Sequence, residues 1–367
     1  MSRLHRSSIP LLLTSALLFV SLGGVLAATQ TPAPGALTPQ LGPNFQYGSP
    51  AFAAIAQTSY QTVGIKGSFE DWLASAYGTA GVALGTDPQA SLNAALDARA
   101  AAIRAATGAA RVKLERDTAQ WAHTFIKKAV PTFSLERGFE LANVVKLGER
   151  QCLAQSVIIS ALLQRAGLTA GAVMVWANPE GKESNLGHVV SIVRLSSGAD
   201  LLDDASDPAP FMHHQGLLLR DGNAYRFVKP SYADDDTISS YTLADGSKTY
   251  SVKELAPLSL GYLQSQFDYY RGERAPGGFM TGKATPDGLK KSEFYLRRAL
   301  QEEPQNALAA LVLGHVLRKE GQVALAKAQY QRAVPVYRAQ GHLPSGAIEA
   351  LAWSSKPVAL TRKANAS

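Results

Sequence analysis

The chain has 367 residues, 46% of them hydrophobic and 18% charged, with 36 Lys and Arg against 29 Asp and Glu for a formal charge of +7. That length is enough to bury a large core and more than one domain usually needs, so two or three modules are expected. The basic excess is mild and clusters only at Lys356, Arg362 and Lys363, which argues against nucleic acid and supports at most loose attraction to anionic cell-surface polymers.

Arg3, His5 and Arg6 precede an apolar run from Ile9 to Leu26 and small residues at Ala27 and Ala28. This layout predicts a signal peptide over residues 1–28, with an uncleaved N-terminal anchor as the alternative. Nothing further along is apolar enough to span a bilayer. The rest is therefore expected outside the cytoplasmic membrane, periplasmic or extracellular, touching a membrane only through an uncleaved signal. Loss of Arg3 and Arg6 would leave a net charge of +5.

Residues 29–45, with Pro32, Pro34, Pro39 and Pro43, read as a Pro-rich linker. A helical region follows over 46–130. Its Ala-rich amphipathic stretches fall near 50–63, 69–84, 88–106 and 112–129, with Ser68 and Asp87 as N-caps. Residues 131–275 change character, with an apolar helix over 152–166 stopped by Gly167 and strands at 170–176, 188–195 and 200–203. Two hairpins, 217–228 and 238–252, turn at Asp221-Gly222 and Asp245-Gly246. A helix followed by antiparallel strands is an α+β arrangement. After a loop holding Pro276, Gly277, Gly278 and Pro286, residues 289–353 are helical, and a basic tail closes the chain over 354–367.

The segment with Ala299, Pro304, Asn306, Leu313, Gly314, Gly321, Ala324 and Tyr330 resembles a tetratricopeptide repeat, with two ordinary packed helices as the plainer alternative. So few repeats cannot stand alone, so these helices are expected to stack on the preceding domain and to offer a surface to a protein partner.

Cys152 is the only cysteine. It forms no internal disulfide, so it is either an inert buried thiol or a residue kept for reactivity. It opens a helix, where partial positive charge and free N–H groups favour a thiolate. Among the seven histidines, His188 is the best base, because it begins a strand directly after Gly187. Asp203 or Asp204, ending the next strand, would orient the imidazole.

The run from Gly148 to Pro208 resembles the core of the transglutaminase-like superfamily of papain-type cysteine domains. The matching residues are Cys152, Leu162-Leu163 with Gly167, Gly187-His188, and Asp204-Ala205-Ser206. The resemblance implies a helix bearing the cysteine packed on an antiparallel sheet. It also implies a triad of Cys152, His188 and Asp204, favouring Asp204 over Asp203. Three positions depart from the pattern: Arg150 stands where Gly is common, Gly171 where Arg is common, and Val190 where an aromatic is common. Thiolate attack on an amide or ester carbonyl would follow, with an oxyanion held by the Cys152 N–H and a second donor, Gln151 or Trp121. No cofactor and no metal are needed.

Other constellations carry less. Gly277 to Lys283 approaches a phosphate-binding loop, but Ala284 replaces the hydroxyl and Pro286 follows where a helix should start. His213-His214 lie near Asp203, Asp204 and Asp207, yet adjacent histidines in a strand face opposite ways, and a solvated loop is the preferred reading. Asp234-Asp235-Asp236 reads as a solvated turn. Two functions remain. One is an exported cysteine hydrolase or acyltransferase acting on peptide or isopeptide bonds, with a peptide or protein substrate from cell-envelope material. The other is an inactive binding or assembly module. An active site needs sulfur and ring nitrogen within about 3–4 Å, below an open cleft.

Overall fold

The computed structural model describes residues 43–356, and the side chains of all of these except 184–186. The signal peptide, nearly all of the Pro-rich linker and the tail beyond Lys356 lie outside the described residues. No helix among the described residues is long and apolar enough to cross a membrane.

Four helices come first: α1 (Pro50–Val63), α2 (Phe69–Ala80), α3 (Leu92–Ala105) and α4 (Gly108–Ala129). Ser49, Ser68 and Ser91 cap the first three through their hydroxyls, so Ser91 does the work expected of Asp87. A two-residue strand β1 (Thr132–Phe133), a short helix α5 (Leu141–Leu147) and strand β2 (Glu149–Arg150) lead into α6 (Cys152–Arg165). Seven strands follow: β3 (Thr169–Ala177), β4 (Glu183–Arg194), β5 (Asp200–Asp203), β6 (Gly216–Asp221), β7 (Ala224–Tyr232), β8 (Ile238–Leu243) and β9 (Thr249–Ser251). Helices α7 (Leu260–Glu273), α8 (Pro286–Glu302), α9 (Ala307–Lys319), α10 (Val323–Gln340) and α11 (Ser345–Ser354) complete the order. Pro286 opens α8 at a position where its missing N–H costs nothing, rather than blocking a helix as the sequence reading had it.

The expected papain-type core, a helix laid on an open antiparallel sheet, is not what forms. The strands run in the order β5-β4-β3-β6-β7-β8-β9, and β5 also pairs with β8 through Asp200 and Ile238. Six antiparallel strands thus close into a barrel, with β9 as an extra strand on β8. The seam has its own bonds. Arg194 grips Asp200 with two hydrogen bonds of 2.8 and 3.0 Å, and the Tyr241 hydroxyl donates to the same carboxylate at 2.7 Å. Residue periodicity gives which face of a strand is apolar but not whether the sheet's outer strands meet, which is why closure was invisible in the sequence.

Alternate residues fill the two sides of the barrel wall. Val173, Val175, Val190, Leu202, Leu217 and Tyr241 belong to the interior, while Ala172, Met174, Val189, Leu201 and Leu218 face the surrounding helices. Helix α6 lies against the outside of β4, where the Ser156 hydroxyl donates to the Val189 carbonyl at 3.0 Å and Ser191 donates back to the Ser156 carbonyl at 3.0 Å. Cys152 to Gln164 are all buried, in keeping with the strongly apolar helix expected here.

The C-terminal helices touch the strand that carries His188. Gly187 has φ +64°, and a Cβ there would meet Leu308 of α9 at 2.6 Å. His342 and the Ser345 N–H bind the two carboxylate oxygens of Glu183 at the start of β4, at 2.5 and 3.1 Å. Within the helical segment, Gly314 lets α9 approach α10, since a Cβ would meet the Tyr330 ring at 2.4 Å.

Gly187→Ala is expected to cost about 1–3 kcal/mol in urea unfolding, from positive φ and from the clash with Leu308. Adding Leu308→Ala should relieve the clash but not the φ penalty. A second expectation concerns acid. His315 is pushed down to about 4 by burial and by Arg318 and Lys319, and its ring hydrogen-bonds the Tyr330 hydroxyl. A histidine held neutral stabilises fully above its unfolded value near 6.5, and that stability is lost as pH falls toward about 4. Between about pH 7 and about pH 4.5 the parent should lose about 2 kcal/mol more than His315→Phe.

Candidate active site

Cys152 is the first residue of α6, whose opening backbone N–H groups have no acceptor within the helix. Gln151 caps it, its Oε1 accepting the Leu153 N–H at 3.3 Å. On the opposite wall, His188 follows Gly187 inside β4, which begins at Glu183, so it does not open the strand as expected, and Asp204 follows the last residue of β5. Both share the strand parity of the interior residues Val190 and Leu202, so they stand at the rim where the barrel's filling ends.

The three residues meet. His188 Nε2 lies 2.7 Å from Asp204 Oδ2, and the Cys152 sulfur is near enough to the ring to favour its charged form. With Nε2 committed to the carboxylate, Nδ1 is the ring nitrogen left for proton transfer. Burial opposes a charge on His188, but Asp204 and Cys152 outweigh it and push the imidazole up to about 10. Burial likewise opposes a charged Asp204, yet its histidine donors hold the carboxylate far below the usual range. Asp203 does something else. It faces away from His188 and takes His123 Nδ1 at 2.9 Å, and burial, against His123, pushes it up to about 6.

Four side chains that sequence reasoning passed over complete the site. His214 Nε2 lies 3.0 Å from the same Asp204 Oδ2 that holds His188. His213 instead binds Asp236 at 2.9 Å and stacks on Tyr232, so the pair splits between two sites rather than sitting in a solvated loop. Arg150, noted only as a departure, is a buried strut that donates to the carbonyls of Val130 and Ala205 and to Gln155 at 2.6–3.1 Å. Gln155 in turn donates to the Ser206 hydroxyl at 2.7 Å, so the cysteine helix is tied to the turn after Asp204. Tyr270 of α7 places its hydroxyl 3.5 Å from the sulfur and donates to the Gly187 carbonyl at 3.0 Å. A pair of Arg and Gln flanking a cysteine carried no signal of this role, and α7 was not foreseen at all.

Of the two candidate oxyanion donors, Gln151 directly precedes Cys152 in the chain, whereas Trp121 donates to the Val82 carbonyl at 3.0 Å and stacks on Phe125. The sulfur is not under an open cleft: Cys152 is 3% exposed, while a quarter of the His188 side chain reaches solvent. A larger groove at the start of α4, lined by Arg111, Arg116, Ser196 and Phe211, shares no residue with this site. Its arginines already face Glu115, Asp235 and Asp236. His188, Asp204 and His214 bring two ring nitrogens and a carboxylate oxygen within 4.8 Å of one another, the metal-capable group among the described residues. No protein-family model matches the chain, and no curated protein sequence matches it.

Proposed function

We propose that the chain is a cysteine acyl-transfer enzyme acting on amide or ester carbonyls through Cys152, His188 and Asp204. The observation that carries this is the 2.7 Å contact between Asp204 Oδ2 and His188 Nε2, with the Cys152 sulfur close enough to favour the charged ring. The transglutaminase-like resemblance rests on the same residues and points to the same chemistry, on peptide or isopeptide bonds of an exported protein's surroundings.

The sulfur adds to the carbonyl carbon, forming a C–S bond and an oxyanion that the Cys152 N–H at the helix start would receive. His188 then gives its Nδ1 proton to the leaving amine or alcohol as the carbon–nitrogen or carbon–oxygen bond breaks, leaving a thioester. Water or a primary amine gives up a proton to His188 and attacks the thioester, restoring the thiolate–imidazolium pair. Asp204 holds the ring in place through both half-reactions.

A second reading, a binding module without turnover, is favoured by the burial of the sulfur, which lacks the open cleft an active site was expected to need, and by the Tyr270 hydroxyl beside it. Iodoacetamide separates the two. Acyl transfer predicts that Cys152 is alkylated in the folded chain near neutral pH and that His188→Ala slows this about 100-fold. Asp204→Asn, which keeps the shape but frees the ring, should slow it about 10-fold or more. Alkylation only after denaturation, or at one rate in all three proteins, would establish the binding module instead.

A further inference from the structure

Acyl transfer uses one histidine on Asp204, and the structure supplies two. His188 and His214 reach the same oxygen, Oδ2, at 2.7 and 3.0 Å, and their rings lie edge to face with centroids 5.5 Å apart. His214 and Asp204 each have 5% of the side chain exposed, and His188 has 25%. A buried imidazole at this position is not needed to orient His188, which Asp204 already holds. His214 Nδ1 is buried with no hydrogen-bond partner, so its one productive contact is the one through Nε2.

We infer that His188, Asp204 and His214 form a site for a divalent transition-metal ion of the zinc class, with a water molecule completing the shell. Two imidazole nitrogens and one carboxylate oxygen are the donor set that zinc takes with an open fourth position. The same set disfavours calcium and magnesium, which seek oxygen throughout. Metal–donor bonds of about 2.0–2.2 Å place neighbouring donors about 3.3 Å apart. The two contacts to Asp204, now 2.7 and 3.0 Å, must open modestly, while the two ring nitrogens already lie within 4.8 Å of each other. The surroundings hold the ligands in place: Asp204 Oδ1 accepts the Ser206 N–H at 2.9 Å, the Asp204 N–H donates to Pro210, and the Tyr232 hydroxyl holds the His214 carbonyl at 2.8 Å.

Binding displaces the protons that Nε2 of each histidine shares with Asp204 and releases them to solvent. The Cys152 sulfur is not among the grouped donors and stays outside the shell. The metal-bound His188 keeps its Nδ1 proton but cannot readily give it up, since that would leave an imidazolate. The ion therefore blocks proton transfer to a leaving group and holds the site off. Metal binding does not depend on the thiol being reactive.

The test is titration of the metal-free full chain with cobalt(II), followed by visible absorption, and with zinc(II), followed by calorimetry. One ion per chain is expected, with nitrogen and oxygen ligand bands and no sulfur-to-cobalt charge-transfer band, and with the same result in Cys152→Ser. His214→Gln should weaken binding about 10- to 100-fold, while His213→Gln leaves it unchanged. If His214→Gln fails to fold, His188→Gln at the partly exposed ligand takes its place. Absence of saturable binding, binding indifferent to both ligand variants, or a thiolate band that Cys152→Ser removes would each overturn the site. Because the readout is metal and not alkylation, its failure leaves the acyl-transfer reading standing, and the converse holds.

Discussion

The arrangement depends on a carboxylate that is out of water and still charged. Asp204 is almost fully buried, and burial alone would drive it toward the neutral acid. What keeps it ionised is the ring of donors gathered on it: His188, His214 and the Ser206 N–H. Each donor is itself fixed by a different part of the fold, His188 by β4, His214 by the loop before β6, and Ser206 by the turn after β5. Removing the charge would leave buried imidazoles without a partner, which is the more expensive error. The carboxylate thus sets the position of the base, and the base sets the environment of the sulfur.

The barrel makes this possible by bringing distant strands to one rim. Closing β5 onto β8 fixes the direction of β5, and with it the point at which Asp204 leaves the wall. Helix α6 packs outside the same wall and delivers Cys152 to that rim, and Arg150 ties the start of the helix to Ala205. Two functions of the arginine follow from one position. It satisfies carbonyls that would otherwise be buried and unpaired, and it locks nucleophile and carboxylate into one frame. Further out, α9 closes over Gly187 while Glu183 takes His342 and Ser345. The C-terminal helices are thereby part of the wall behind the base.

Much of this was legible in the residues. Asp221-Gly222 and Asp245-Gly246 mark the hairpins because only positive φ closes such turns. Gly167 marks the end of α6, and the strongly apolar composition from Leu153 to Leu163 marks a buried helix. The positions of Cys152 and Asp204 were legible because each sits at an element end, whereas His188, expected to begin a strand, lies inside β4, whose first residues, from Glu183, the sequence did not mark as strand. Barrel closure was not legible, since pairing between β5 and β8 depends on twist accumulated over six strands and leaves no periodic trace. Nor was α7, whose polar and aromatic face, with Gln266, Asp268, Tyr270 and Arg271, hides its amphipathic pattern. His214 was misread for a related reason. It lies in a loop that is folded inward, and loops are read as exposed unless a contact says otherwise.

Direct observation of a thioester tests the central claim most closely. Incubating the full chain with an activated ester and measuring intact mass, followed by peptide mapping, should show one acyl group per chain on Cys152, absent in His188→Ala. Acylation confined to surface lysines, or equal labelling of Cys152 with and without His188, would show that the line from Asp204 to sulfur is structural and carries no acyl chemistry.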